Sequence, residues 1–168
     1  MSDTPPEDPN SEPTTLAGDN AVALWKCGRK AWNAWIDENP GAVIDFDSVD
    51  FSMQRSGADV LSFKEYRFGD GNVSFNFAVF GDGGVNFVDA VFGDGDVSFF
   101  RAIFGDGDIF FDKTTFGSGT VCLVNARFSG ALFFQPKSIA AKFLELDHID
   151  ATNCNPTLRT GVTRDMAG

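Results

Sequence analysis

The sequence predicts an all-β solenoid, a chain wound into stacked coils around a Phe-rich core, and three observations predict it. The 168 residues include 19 Phe and 18 Gly but a single Tyr, so nearly all the aromatic surface demands burial and carries no polar handle. Phe80, Phe92, Phe104, Phe116 and Phe128 recur every twelve residues, and the words FGDG at 68, 80, 92 and 104 and FGSG at 116 keep the same beat. Between them run Phe75, Phe87, Phe99, Phe111 and Leu123, with a smaller residue two places before each large one, as in Val73, Ala78, Val97 and Ala102. A small-x-large unit has period two, which sets both side chains on one face of a short strand. Self-similarity at a fixed period is the mark of a repeat architecture.

Taken in order, residues 1–15 hold four Pro and four acids with no Lys or Arg. They predict a disordered acidic tail, neither a signal peptide nor a membrane anchor. Residues 16–40 carry the one amphipathic pattern: Leu24, Ala31 and Trp35 fall on a stripe beside Trp25, Trp32 and Ile36. A single helix over about 20 to 38 is expected, capped by Asp19 and stopped at Asn39-Pro40. The face bearing Trp25, Trp32 and Trp35 is read as a lid over the open end of the core. Residues 41–136 form the repeats. Residues 137–168 are expected to close the far end with Phe143, Leu146 and Ile149 and then fray.

The small-x-large motif centred on Phe or Leu resembles the pentapeptide-repeat family over about residues 41–136. The segment AWNAWIDENPGAVIDFDSVDF, from Ala31 to Phe51, is similar to the helical lead-in of some bacterial members. The resemblance implies a right-handed parallel β-helix with four sides, the central residue facing inward and one short side per pentapeptide. The departure is the recurrent Gly-Asp-Gly insertion, which makes the sides alternate between five and seven residues.

Four such sides make a coil of 24 residues, against a thinner alternative of twelve. The 24-residue coil predicts inward columns Phe51, Phe75, Phe99, Leu123; Phe63, Phe87, Phe111 with Phe133 two residues early; Phe68, Phe92, Phe116; and Phe80, Phe104, Phe128. It also predicts the small column Val49, Val73, Val97, Val121.

Candidate chemistry starts at the corners. Asp70 and Asp94 share one column and Asp82 and Asp106 another, with Asp96 and Asp108 two residues further on. Stacked carboxylates about 5 Å apart repel, and a divalent cation such as calcium would reverse that cost. The plainer reading is that Gly supplies positive φ for a wide turn and Asp is a solvated turn residue, with no cofactor required. Phe77, Phe100, Phe110 and Phe134 each neighbour an inward residue, so strict alternation turns them outward, where they are candidates for a partner surface.

The 13 basic and 24 acidic residues give a net charge of −11, which repels a phosphate backbone and argues against direct nucleic-acid binding. Three Cys at wide spacings match no disulfide framework or zinc site, pointing to a reducing cytoplasm. His148, the only histidine, has no partner at motif spacing, and no phosphate loop or dinucleotide fingerprint occurs, so no enzyme is expected. The expectation is a noncatalytic module, monomer or homodimer, that presents acidic faces to a protein partner. Two alternatives stand beside it: a calcium-binding solenoid, and, implied by the resemblance alone, an acidic mimic of duplex DNA directed at type II topoisomerases.

Overall fold

The computed structural model describes residues 12–55, 60–139 and 144–145. Every strand pairing among them is parallel and joins one coil to the next. The first ladder stacks Leu16, Ile44, Val73, Val97, Val121 and Leu144 in register. The second stacks Asp50, Val79, Ile103 and Arg127. Leu61, Val85, Ile109 and Leu132 form the third, and Arg67, Val91, Thr115 and Ser138 the fourth. Val73 pairs with Val97 and Val97 with Val121, a step of 24. The four ladders follow one another around each turn, and the twelve-residue coil is thereby ruled out.

The interior is a set of Phe stacks. Phe75 and Phe99 lie 4.9 Å apart with rings 2° from parallel, and Phe68–Phe92, Phe63–Phe87–Phe111 and Phe80–Phe104–Phe128 repeat the arrangement. Neighbouring columns meet edge to face, as Phe87 meets Phe99 at 5.6 Å and 86°. Offset stacking along the axis and edge contacts across it satisfy the ring quadrupole in both directions, which is why one residue type can fill the whole core.

Two kinds of corner alternate. Between the first and second ladders, and again between the third and fourth, a four-residue turn closes with a bond such as Ala78 N–H to Phe75 O, 3.1 Å. Its third residue has positive φ: Ser48, Glu65, Phe77, Asp89, Arg101, Lys113 and Asn125, none of them Gly. The turn points its fourth residue inward, and Ala78, Ala90, Ala102 and Ala126 are fully buried there, which accounts for the alanines; Val49, Tyr66 and Thr114 take the same place in the other turns. The Gly-Asp-Gly corners lie between the second and third ladders and between the fourth and first. Positive φ occurs there at Gly69, Gly81 and Gly83 only, so conformational freedom is not the general reason for these glycines. Space is: a Cβ on Gly95 would collide with the carbonyl of Gly71, and one on Gly107 with the backbone of Gly83. Successive corners stack backbone on backbone.

The first coil departs from the predicted columns. Ile44, not Val49, pairs with Val73, and Phe46 stacks on Phe75 at 5.0 Å. Phe51 instead heads the Phe80 column, 5.2 Å and 6° from it. Twelve residues separate Phe51 from Phe63, against seven between Phe80 and Phe87. The extra length includes a 3-10 helix, Phe51–Gln54, whose first turn is capped by Asp50. At the other end Leu132 pairs with Ile109, so that coil is one residue short. Phe134, not Phe133, takes the inward place next to Phe111 and Phe116.

The N-terminal region also differs. Strand β1 (Thr15–Ala17) precedes two helices, α1 (Gly18–Lys26) and α2 (Arg29–Glu38), which lead into strand β2 (Val43–Asp45). The single helix is broken at Cys27-Gly28, where Gly28 takes φ of 95°, a conformation that no helix tolerates. Ala17, not Asp19, stands at the first cap, and Asp19 lies within the first turn. Thr14 O accepts from Val43 N–H and Thr15 pairs with Val43, so the expected tail does not reach residue 15; residues 1–11 lie outside the described residues. Beyond Ile139, only Leu144–Glu145 is described, pairing with Val121–Cys122. The expected closing residues Phe143, Leu146 and Ile149 fall outside.

The helices lie against the first coil. Trp32 is fully buried on Phe46, Tyr66 and Phe68, while half-buried Trp25 stacks on Phe63 and meets Phe51 edge-on. Trp35 packs against the same core. The strand edge is met by side chains: Trp25 Nε1 donates to Ser62 O, Trp32 Nε1 to Arg67 O and Asn33 Nδ2 to Glu65 O, while Asn33 Oδ1 accepts from Arg67 N–H. Ion pairs Arg29–Glu65 and Arg67–Asp37 flank these bonds.

Candidate functional site

The corner aspartates are all exposed, yet their carboxylates have structural duties. Asp70 Oδ1 accepts from Asp94 N–H, Asp94 Oδ1 from Ser118 N–H at 3.1 Å, and Asp82 Oδ1 from Asp106 N–H. Asp106 reaches back to Gly83 N–H, Asp96 Oδ1 accepts from Thr120 N–H at 2.8 Å, and Asp108 Oδ1 from Ala131 N–H. At a corner the ladder lapses, and the side chain supplies the acceptor that the neighbouring coil's amide lacks. Asn72 does the same for Asp96 N–H, and Asn76 for Phe100 N–H. An amide oxygen is therefore sufficient, and the negative charge is not needed for this bond. Among the described residues no group of three or more His, Cys, Asp or Glu side chains converges as a metal site would. Asp94→Asn should leave the urea midpoint unchanged, whereas Asp94→Ala, which strands the Ser118 amide, should cost about 1 to 2 kcal/mol; an Asn variant as unstable as the Ala variant would refute the role.

These bonds fix the charge in place. Asp70, Asp94 and Asp96 line the corner between the fourth and first ladders, and Asp82, Asp106 and Asp108 the diagonally opposite corner. In contrast, residues 74–80, 98–104 and 122–128, which form the first-to-second turn and the second ladder, contain no acid and carry Arg101 and Arg127.

The four outward Phe do not form one surface. Phe77 is 48 % exposed and meets half-buried Phe100 at 5.7 Å, with the Arg101 guanidinium over both rings. Phe110 lies on the third ladder, stacked on Phe133 at 5.0 Å. Phe134 is buried, 3 % exposed, because the shortened corner before it turns it into the core.

Arg55 is the residue that sequence reasoning missed. In the first coil the corner lacks Gly-Asp-Gly, and the guanidinium covers the next coil's corner instead, donating from Nε to Phe80 O at 2.9 Å and from its terminal nitrogens to Gly81, Gly83 and Gly84 carbonyls. Desolvation lowers its pKa, opposed by Asp82 and Asp106. Its only sequence signal was a base inside an acidic repeat where the glycine word is missing. Burial likewise raises the Tyr66 phenol, whose hydroxyl donates to Trp25 O. Cys122 sits half-buried on the first ladder beside Ser98; His148 and Cys154 lie outside the described residues. A groove of about 260 Å³ between α2 and the fourth ladder is lined by Ile36, Asp37, Arg67 and Val91, and the Arg67–Asp37 pair occupies its polar side. No helix among the described residues is long and apolar enough to cross a membrane.

The structure is thus a solenoid of stacked parallel strands with rows of Asp at two Gly-Asp-Gly corners, while the turn between the third and fourth ladders mixes Glu65, Asp89 and Asp112 with Lys64 and Lys113. No family model, curated protein or solved structure matches the chain.

Proposed function

We propose that this chain is a noncatalytic protein-interaction module: a right-handed, four-sided β-helix of the pentapeptide-repeat kind, closed at its N-terminal end by α1 and α2, whose two acidic corners engage a basic surface of a protein partner. The observation that carries the reading is the sorting of Asp70, Asp94 and Asp96 to one corner and Asp82, Asp106 and Asp108 to the opposite one, each held by a bond to backbone amides. A carboxylate fixed before binding loses little side-chain entropy on association, and rows of like charge raise the encounter rate with a cationic partner.

Replacing Asp94, Asp96, Asp106 and Asp108 together by Asn removes four charges while keeping every acceptor. The partner retained from native cells by the parent should be lost by this variant and should elute with rising salt. Identical capture by both proteins, with equal melting temperatures, would overturn the proposal.

A further inference from the structure

The second ladder presents outward, from the first coil to the fourth, Asp50, Val79, Ile103 and Arg127. Asp50 and Arg127 are exposed, Val79 is half-buried and Ile103 is 41 % exposed, while the flanking Phe80, Phe104 and Phe128 point into the core. The order is acid, apolar, apolar, base. Read in reverse, it is its own complement.

We propose that this face is the contact between two antiparallel copies of the chain, related by a two-fold axis that runs along the strand direction between the second and third coils. Such an axis sets Asp50 opposite Arg127 of the second copy, Val79 opposite Ile103, and the same pairs in reverse. It also preserves position along the strand, so the adjoining turns face each other. There Phe77 stands opposite Arg101 of the other copy, and the existing Arg101–Phe77 contact becomes half of a four-membered cation–π cluster. Polar Ser48 faces polar Asn125. A side-by-side arrangement with parallel axes would instead set Asp50 on Asp50 and Arg127 on Arg127.

No other ladder has this property. The fourth reads Arg67, Val91, Thr115, Ser138, with a base at one end and no acid at the other. The acidic corners cannot self-associate, since a second copy brings the same charge. The turn and second-ladder segments of coils two to four are free of acids, so the repulsion that accompanies a net charge of −11 is confined to the other end of each strand, where the axis sets Asp82 and Asp106 against those of the second copy. With about 4.8 Å between coils, the four levels span about 15 Å, so the patch falls short of the roughly 800 Å² per partner of stable complexes. The association is therefore weak, dependent on concentration and sensitive to salt.

Sedimentation equilibrium from micromolar to millimolar protein tests it. The parent should shift toward dimer, and less so in high salt. Ile103→Lys should weaken association about tenfold or more, and Arg127→Glu, which sets acid against Asp50, should do the same. Val91→Lys, an equally exposed site on the fourth ladder, should behave as the parent does. Adding Asp50→Lys to Arg127→Glu gives up the Asp50 cap on Ser52 and lowers the melting temperature, yet below it should restore association, because the swapped charges pair again only in the antiparallel register. A parent that stays monomeric at millimolar concentration, or equal effects of Ile103→Lys and Val91→Lys, would overturn the proposal. Failure of the charge swap in a variant still folded at the measuring temperature would overturn the antiparallel register. The second ladder ends at the corner of Asp82, Asp106 and Asp108, which the axis sets against its copy, so the four-Asn variant, with less repulsion there, should dimerise at least as strongly as the parent while losing the basic partner, and the two proposals fail independently.

Discussion

Phe99→Ala should lower unfolding stability by about 3 to 5 kcal/mol, a large share of the roughly 5 to 15 kcal/mol that holds a domain of this size. The ring is fully buried and lies at the centre of the core, stacked on Phe75 and meeting Phe87 and Phe111 edge-on at 5.6 Å each. Its removal takes away both transfer free energy and contacts along two directions. Because the coils above and below are pinned by ladder bonds at 24-residue steps, they cannot collapse into the cavity, which places the loss toward the upper end of the range. Urea titration is the measurement. Phe77→Ala, which truncates an exposed ring, should cost less than about 1 kcal/mol. Equal midpoints for the two variants would show that the inward columns are misassigned.

How much of this was legible in the sequence depends on how regular the coil is. In the middle coils every side repeats, so Val73, Val97 and Val121 and the Phe75, Phe87, Phe92 and Phe104 columns follow from spacing alone. Where a corner gains or loses residues, spacing misleads. The long corner after Phe51 shifts the first coil by a side, so Phe46 rather than Phe51 lies on Phe75; the hint was the five-residue step from Phe46 to Phe51, which matches that from Phe75 to Phe80. Likewise FSGALFF has one residue fewer than FGDGDIFF, and aligning the two words rather than counting steps places Phe134 inward. The role of the corner Asp was not legible, because an acceptor's partner lies a whole coil away and no local pattern records it. The break at Gly28 was hidden by the apolar stripe, which continues in phase across it. Glycine's function was inferred from its conformational freedom, whereas most of these corners need it for its missing Cβ, a distinction only the stacking reveals.

Removing residues 1–39 should convert the protein into an associating species with a much lower melting temperature. The deletion takes away β1, which pairs with β2 along the first ladder, and the indole and amide groups that bond Ser62, Glu65 and Arg67. It also uncovers Phe46, Phe63 and Phe68, on which Trp25 and Trp32 now lie. An apolar disc bordered by unpaired strand groups is a template for another chain. Helix side chains can meet such an edge only one group at a time, which explains why the contact uses Trp and Asn: each carries an apolar or planar body to the disc and a donor to its rim. Trp32→Ala is the milder version and should cost about 3 to 5 kcal/mol, since Trp32 both fills the disc and donates to Arg67 O at 2.8 Å. Removing residues 1–11 alone should leave size and melting unchanged, because that segment brings only one large apolar side chain, Met1, to bury. Light scattering on the three variants, each carrying Ile103→Lys so that side-to-side pairing does not contribute, separates the cases. A monomeric 40–168 chain that melts with the parent would show that α1 and α2 do not protect the coil, and that Trp25 and Trp32 serve a surface of their own.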